Sequence, residues 1–187
     1  MNVDSETYFA MFTKPGGVLD KIREQIPMDV PVVIQHDNAT PHVGKGNREK
    51  LREAGLAKNI TFVEQPAQSP DMNINDLAFF YSLQCDANEL KGDDCDLWKL
   101  KESVLQAFDE YEPDRLERME AILYEIYRQV MEHGGGNGIS MPHSGIRNRQ
   151  KNGEDVVDRS VPRDLYEHMQ ATIKDLKEKL QQDDVIG

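Results

Sequence analysis

Cysteine and long apolar runs are both scarce in this chain. Its two cysteines, Cys85 and Cys95, stand ten residues apart without a C-x-x-C pair, which favours ordinary thiols over a disulfide and gives no sign of a zinc site. No apolar run approaches the roughly 20 residues of a membrane-spanning helix, and no secretory leader pattern opens the sequence. We therefore expect a soluble, intracellular protein with no membrane partner.

Basic charge is scarce as well. The chain has 22 Lys and Arg against 34 Asp and Glu, a net charge of −12, which argues against nucleic-acid binding through a broad basic face. Any role in DNA binding would require a local group of basic residues. Residues 86–132 alone hold 14 acidic and 6 basic residues, and we interpret them as a solvated helical face rather than a site for a basic partner.

A chain of 187 residues with 38% hydrophobic content suits one domain with a tail. The sequence predicts a helix over residues 4–26 that Pro15, Gly16 and Gly17 interrupt. Residues 30–34 form a largely β-branched run without polar alternation, as in a strand buried on both faces of a parallel sheet. A surface helix then leads to a second strand at residues 60–63, which makes a βαβ unit.

The C-terminal half reads as mainly helical. Asn73 or Asn75 caps a helix that runs to Leu83, a polar connector follows from Cys85 to Asp96, and apolar stripes predict helices over 97–108 and 116–130. Residues 133–138 are a glycine-rich break, and an irregular polar segment follows. The last helix starts at 160–162 and carries a stripe close to a heptad, which favours docking on its own domain over a free coiled coil. The stripe is Leu165, Met169, Ile173, Leu176 and Leu180.

Two stretches carry the acids that suggest chemistry. The first strand ends in Gln35-His36-Asp37, and the stretch QPAQSPDMNINDLAFF supplies Asp71 and Asp76 at a helix start. Phosphodiester cleavage and strand transfer commonly use two divalent cations about 3.5 to 4 Å apart, one at the attacking and one at the leaving oxygen. Mg²⁺ prefers hard carboxylate oxygens, so aspartates on rigid supports are suitable ligands.

The stretches HDNATPH and QPAQSPDMNINDLAFFYSLQ together resemble the catalytic core of mariner-like transposases, a family with an RNase H-like fold and three catalytic carboxylates. The segment GGGNGISMPHSG resembles a motif near the family's C-terminus, so the resemblance covers nearly all of the chain. It places Asp37 and Asp76 at two catalytic, metal-ligating positions. Asp71 then falls in the loop before Asp76, where a turn or cap interaction is the favoured role.

The resemblance implies an α/β fold, namely a truncated RNase H-like fold with a short parallel sheet and a predominantly helical C-terminal half. Residues 1–133 would be part of the catalytic domain, and residues 134–187 a glycine-rich segment with an amphipathic helix. Mg²⁺ or Mn²⁺ is the implied cofactor. DNA is the implied partner, with full-length transposase or a second copy of the chain as further partners, and a nuclear location would follow.

Candidate DNA contacts are fewer. His143, Arg147 and Arg149 are the best local group for phosphate contact, and an exposed polar tail is the alternative interpretation. Asn38 and His42 could orient the acids or contact DNA. Asn38 could equally bond the turn backbone, and His42 could fill the corner between strand and helix.

The family's first catalytic aspartate and its helix-turn-helix domains have no counterpart in this sequence. Asp4 is better explained as a helix cap. We therefore expect weak or absent metal binding, little activity of the chain alone, and an exposed apolar edge on the Val32 strand. Two other interpretations stay open: a domesticated interaction protein that binds a transposase or another partner, and an acidic helical binding module whose motif matches are accidental.

Overall fold

The computed structural model describes residues 3–93, 96–136, 138–140 and 145–186, with residue 45 and residues 176–186 described by backbone alone. It shows a mixed α/β protein with a two-stranded parallel sheet and mostly helical content, as the sequence predicts. The chain divides into two compact units, residues 1–69 and residues 70–187. None of the described helices is long and apolar enough to cross a membrane.

The first unit is a βαβ unit preceded by two helices, which confirms the sequence prediction. The predicted break falls between the first two helices, and the Asp4 carboxylate caps the first by accepting from the Thr7 N–H at 2.8 Å. The elements are α1 (Ser5–Thr13), α2 (Val18–Gln25), β1 (Val32–His36), α3 (Thr40–Val43), α4 (Asn47–Leu56) and β2 (Ile60–Glu64).

The two strands pair in parallel, from Val32 opposite Ile60 to His36 opposite Glu64. Leu19, Leu51, Ile60 and Phe62 form the core of this unit, with α1 and β1 residues packed against them. Gly55 on α4 lets that helix approach β2 closely, because a Cβ atom there would lie 2.6 Å from the Ile60 carbonyl oxygen. Because the two strands run in parallel, both end at the same edge of the sheet.

The prediction that the first strand is buried on both faces is wrong. Burial alternates along β1, and Val33 is 63% exposed while His36 is 7% exposed. On β2 the buried residues are Ile60 and Phe62, and Val63 is exposed. The physical reason is that the apolar core of the first unit lies on one face of the sheet only. Among the described residues, β1 pairs with β2 alone, so its other edge carries no strand.

One arginine joins the loops at the start of the sheet. The Arg23 guanidinium donates to the carbonyl oxygens of Pro27 at 2.6 Å and Lys58 at 2.7 Å. It also donates to the carbonyls of Val30 and Asn59, at 3.0 and 2.8 Å. Because the guanidinium presents five donors in a fixed plane, it can satisfy several otherwise unpaired carbonyls at once.

The second unit contains five α-helices among its described residues. A π-helical turn over Asn75–Phe79 runs directly into the first of them. The helix α7 (Pro113–Glu132) begins with proline at its first turn and ends before a glycine-rich break, as predicted. The helices are α5 (Phe80–Lys91), α6 (Leu97–Asp109), α7 (Pro113–Glu132), α8 (Ile146–Lys151) and α9 (Arg163–Ile186).

Three details of this unit differ from the sequence predictions. The predicted connector from Cys85 is helical as far as Lys91, and the helix ends only at Gly92, whose φ of 62° disfavours other residues. The short helix α8 lies in the segment predicted to be irregular. The helix α6 forms as predicted, but its apolar stripe is exposed.

Small residues explain how α6 packs. The most buried residues of α5 and α6 are Ala87, Ser103 and Ala107, and the two helices lie against each other. Small side chains let helix backbones approach closely, so large side chains on the same helices face solvent. The exposed set on α6 is Leu97, Trp98, Leu100, Val104, Leu105 and Phe108.

The last helix begins at Arg163, close to its predicted start. Leu165 and Met169 of the predicted stripe are half-buried and Ile173 is exposed, and α9 contacts α7 of the same unit. The side chains of Leu176 and Leu180 lie outside the described residues, as do Cys95 and His143. Cys85 is an exposed free thiol.

Candidate functional site

Asp37 follows the last residue of β1, at the edge of the sheet where both parallel strands end. Its Oδ1 atom accepts a hydrogen bond from the Ala39 N–H at 2.9 Å and contacts Nδ1 of His42. The side chain is 46% exposed. Among the described residues both contacts fall on Oδ1, so Oδ2 keeps its capacity to bind a proton donor or a cation.

His42 is packed between aromatic rings. Its imidazole stacks on the Tyr8 ring with 4.0 Å between centroids and meets His36 edge-on at 6.0 Å. Its Nδ1 atom is buried, and the short contact with Asp37 lacks the angles of a hydrogen bond. The ring is thus held in place mainly by stacking, with one nitrogen in contact with the carboxylate.

Burial changes the acidity of two neighbours of this group. Burial, together with the negative charge of Asp37, raises the pKa of the Tyr8 phenol to about 12. Burial lowers the pKa of His36, whose ring meets Phe62 edge-on at 5.9 Å. Both side chains are therefore neutral near pH 7, and the carboxylate of Asp37 is the anionic group among them.

The two loops after the strands are tied to each other. The Asn38 side-chain amide donates to the Gln65 carbonyl at 2.7 Å, and the Gln65 N–H donates to the His36 carbonyl at 2.9 Å. The Gln65 side chain in turn donates to the Ser69 carbonyl at 2.7 Å. Asn38 therefore has a structural role in fixing the loop that begins with Asp37.

Asp76 lies in the π-helical turn that leads into α5, and its side chain is exposed. The Asn73 amide donates to Asp76 Oδ2 at 3.1 Å, and the Asn73 side-chain oxygen accepts from the Asn75 N–H at 3.1 Å. The Tyr127 hydroxyl of α7 donates to the Met72 carbonyl at 3.1 Å, which holds the preceding turn. Asn73 rather than Asn75 thus supplies the local side-chain bonds at this helix start.

Asp71 differs from Asp76 in its surroundings. It lies in a 3₁₀ turn over Pro70–Met72 and is exposed. Its carboxylate makes no hydrogen bond or ion pair with another described residue. The turn that it occupies is closed instead by the Asn73 N–H, which donates to the Pro70 carbonyl at 3.0 Å.

The two candidate acids belong to different units, Asp37 to residues 1–69 and Asp76 to residues 70–187. Within the described part of the chain, no three His, Cys, Asp or Glu side chains are grouped as a metal site requires. Asp37 and Asp76 offer the oxygen donors that Mg²⁺ and Mn²⁺ prefer. Each of them matches such an ion in donor type.

The predicted phosphate-contact residues have different surroundings. Arg149 is engaged with Glu154 at 3.4 Å and with the Asp155 carbonyl at 3.1 Å. Arg147 is exposed and makes no hydrogen bond or ion pair with a described residue. It lines a cavity of about 570 Å³ together with Arg115 and Arg118 of α7.

Sequence reasoning missed the roles of Tyr8 and Arg118. Tyr8 is recognisable in the sequence only as one member of the apolar face of α1, with no sign that it packs on His42. Arg118 lies on a helix whose apolar stripe explains its periodicity, and nothing in its spacing connects it with Arg147. Both roles depend on contacts between residues about 30 positions apart, which local patterns do not encode.

Searches against protein-family models, curated proteins and solved structures find no match to this chain.

Proposed function

We propose that this chain carries two of the three catalytic carboxylates of a mariner-like transposase, within part of an RNase H-like catalytic domain. The observation that supports the proposal best is the position of Asp37 at the end of β1 in a parallel βαβ unit. The stretch QPAQSPDMNINDLAFFYSLQ, which carries the resemblance, adds Asp76 at a helix start after β2. Parallel strand ends gather loops at one edge of a sheet, and such edges commonly hold active sites.

Bound at these acids, Mg²⁺ or Mn²⁺ would supply Lewis-acid activation of a phosphodiester and of its attacking hydroxyl. The role of this chain is to hold each of the two carboxylates in place. Stacking on Tyr8 fixes His42 beside Asp37, and the Asn73 amide fixes Asp76. The stretches that carry the resemblance supply no third acid, so activity of the chain alone is expected to be low.

A plasmid-nicking assay tests this function. The chain is mixed with the segment of a mariner-like transposase that contains the first catalytic aspartate, in the presence of Mn²⁺. Nicking is expected only in the mixture, and Asp37→Asn or Asp76→Asn is expected to remove it, while Asp71→Asn retains it. Nicking by the mixture that is indifferent to Asp37→Asn would contradict the proposal.

The second candidate function is that of an interaction protein that binds a transposase or another partner. The exposed side of the sheet favours it, because Val33 and Val63 lie on the face away from the core and β1 has one described strand neighbour. An unpaired strand edge is a ready template for another strand. Formation of a micromolar complex in the same mixture, without nicking at any metal concentration, would favour this candidate.

A further inference from the structure

The cavity beside α8 combines positive charge with an apolar floor. Its volume is about 570 Å³, and Arg115, Arg118 and Arg147 contribute to its lining. The remaining lining residues are uncharged, and no carboxylate is among them: Ala78, Met119, Ile122, Gly145, Ile146 and Asn148. In a chain with a net charge of −12, a cavity lined by three cations and no acid is the local exception that nucleic-acid binding requires.

The three arginines are not equivalent. Arg115 is already neutralised, because its guanidinium donates to Asp86 at 2.6 Å and contacts Ser82 while lying over the Tyr111 ring. The partner of Arg118 is the neutral side-chain oxygen of Gln150, and Arg118 forms no ion pair with a carboxylate among the described residues.

Arg147 has no described partner at all. Two guanidinium groups, those of Arg118 and Arg147, are therefore available to an anion. The Gln150 amide also donates to Glu117 at 2.6 Å and to the Asp114 carbonyl at 3.0 Å. These bonds hold Gln150, and through it they hold the Arg118 side chain in place.

We propose that this cavity binds one phosphate group of a single nucleic-acid strand, with Arg118 and Arg147 as its ligands. The planar donor fork of arginine suits the paired oxygens of a phosphodiester. Ala78, which also lines the cavity, lies two residues after Asp76 in the same helical turn. The inference rests on the proposed function, since it places a backbone phosphate next to the helix start that carries a catalytic acid.

Fluorescence anisotropy with a labelled oligothymidylate of roughly twelve nucleotides, a length within single-strand site sizes, tests the proposal. The full chain is used in EDTA, so that metal binding does not contribute. Each phosphate neutralised on a single strand adds about −0.7 to the slope of log K against log salt, so the one phosphate bound here predicts a slope of about −0.7. Arg147→Gln is expected to weaken binding about tenfold and to make this slope shallower.

Arg163→Gln is the matched control. Arg163 is in the same unit, its side chain is 91% exposed, and it pairs with Glu167 at 2.8 Å. The substitution makes the same change in net charge and is expected to alter the affinity less than twofold. Arg118→Gln is expected to act like Arg147→Gln. Because Arg147 is exposed and has no partner in the described part of the chain, its variant should keep the circular dichroism spectrum of the wild type.

Several outcomes would overturn the proposal. Equal weakening by Arg147→Gln and Arg163→Gln would show that only net charge matters, and absence of binding would remove the site. Inorganic phosphate is titrated separately by amide chemical shifts, and shifts at Gly145 and Ala78 without oligonucleotide binding would identify a free-phosphate site instead. Because the titration is carried out in EDTA, it does not depend on the metal site, and a failure of metal binding at Asp37 and Asp76 would leave this result interpretable.

Discussion

The buried Nδ1 atom of His42 contacts the carboxylate of Asp37 while the His42 ring stacks on Tyr8, with 4.0 Å between the ring centroids. Tyr8 is on α1, Asp37 follows β1 and His42 is on α3. The contact thus joins three segments of the first unit around one acid. Its energetic weight comes from stacking more than from the ion contact, because the carboxylate is 46% exposed.

Replacement of His42 separates these two contributions. His42→Ala removes the ring that stacks on Tyr8 and is expected to lower the free energy of unfolding by about 1 to 2 kcal/mol, given the typical worth of aromatic pairs and of ring burial. His42→Phe retains stacking and should cost less than half as much. Urea unfolding followed by circular dichroism measures both, with the exposed His168→Ala as control. Equal losses for Ala and Phe would show that the ion contact dominates.

The Tyr8 phenol reports the charge on Asp37. Its pKa is raised to about 12 by burial first and by Asp37 second, so Asp37→Asn is expected to lower this pKa while leaving it above 10.0. The unfolded chain loses this proton near pH 10, and the folded chain retains it to about pH 12. Stability should therefore fall as the pH rises through that window.

Ultraviolet difference absorbance, with Tyr8→Phe as the blank, follows the Tyr8 titration. Asp71→Asn is the charge-matched control and should leave it unchanged. A Tyr8 pKa that is indifferent to Asp37→Asn would mean that the phenol and the carboxylate are not neighbours in solution.

The lowered pKa of His36 predicts that the stability of the protein falls at acidic pH. Burial lowers its pKa below 6.5 in the folded protein, so the unfolded chain binds a proton more readily. The free energy of unfolding should fall as the pH drops below about 6.5 and level off below the folded pKa. His36→Phe, which retains the edge-on contact with Phe62, is expected to flatten this part of the curve relative to wild type, as measured by urea unfolding at several pH values.

Gly55 tests the close packing of α4 on β2. A Cβ at this position would lie 2.6 Å from the Ile60 carbonyl oxygen and 2.9 Å from the Phe62 ring, so Gly55→Ala must push the helix outward. Overpacking of this kind destabilises the protein by roughly 1 to 3 kcal/mol. This is more than the stabilisation that the higher helix propensity of alanine supplies. Gly136→Ala, whose added methyl would meet its nearest atom at 3.6 Å, is the control. Thermal unfolding should separate the two, and equal melting temperatures would contradict the packing.

The sequence predicted the elements of the first unit because each had a local signal: Asp4 as a cap, Pro15 as a break and β-branched runs as strands. Burial was harder to predict. The run over residues 32–34 has no polar residue to show that one face is exposed, and the apolar stripe of α6 gave no hint that Ser103 and Ala107 would form the buried side.

The position of Asp37 at a strand end was likewise predictable from the sequence, because the strand signal stops beside it. The partners of the candidate residues were not. The five donors of Arg23 reach carbonyls as far along the chain as Asn59, and Arg118 and Arg147 share a cavity although they lie on separate helices. Contacts of this kind depend on how helices pack, which periodicity does not specify.

The identity of the metal-binding acids is the central claim, and paramagnetic broadening by Mn²⁺ tests it most directly. Amide resonances are recorded during a Mn²⁺ titration of the wild type and of Asp37→Asn, Asp76→Asn and Asp71→Asn. The residues around Asp37 and Asp76 are expected to broaden first, at millimolar or lower Mn²⁺, and to recover in their own variants, while Asp71→Asn behaves as wild type. Broadening spread over the acidic residues 86–132 and unchanged by Asp37→Asn would contradict the claim.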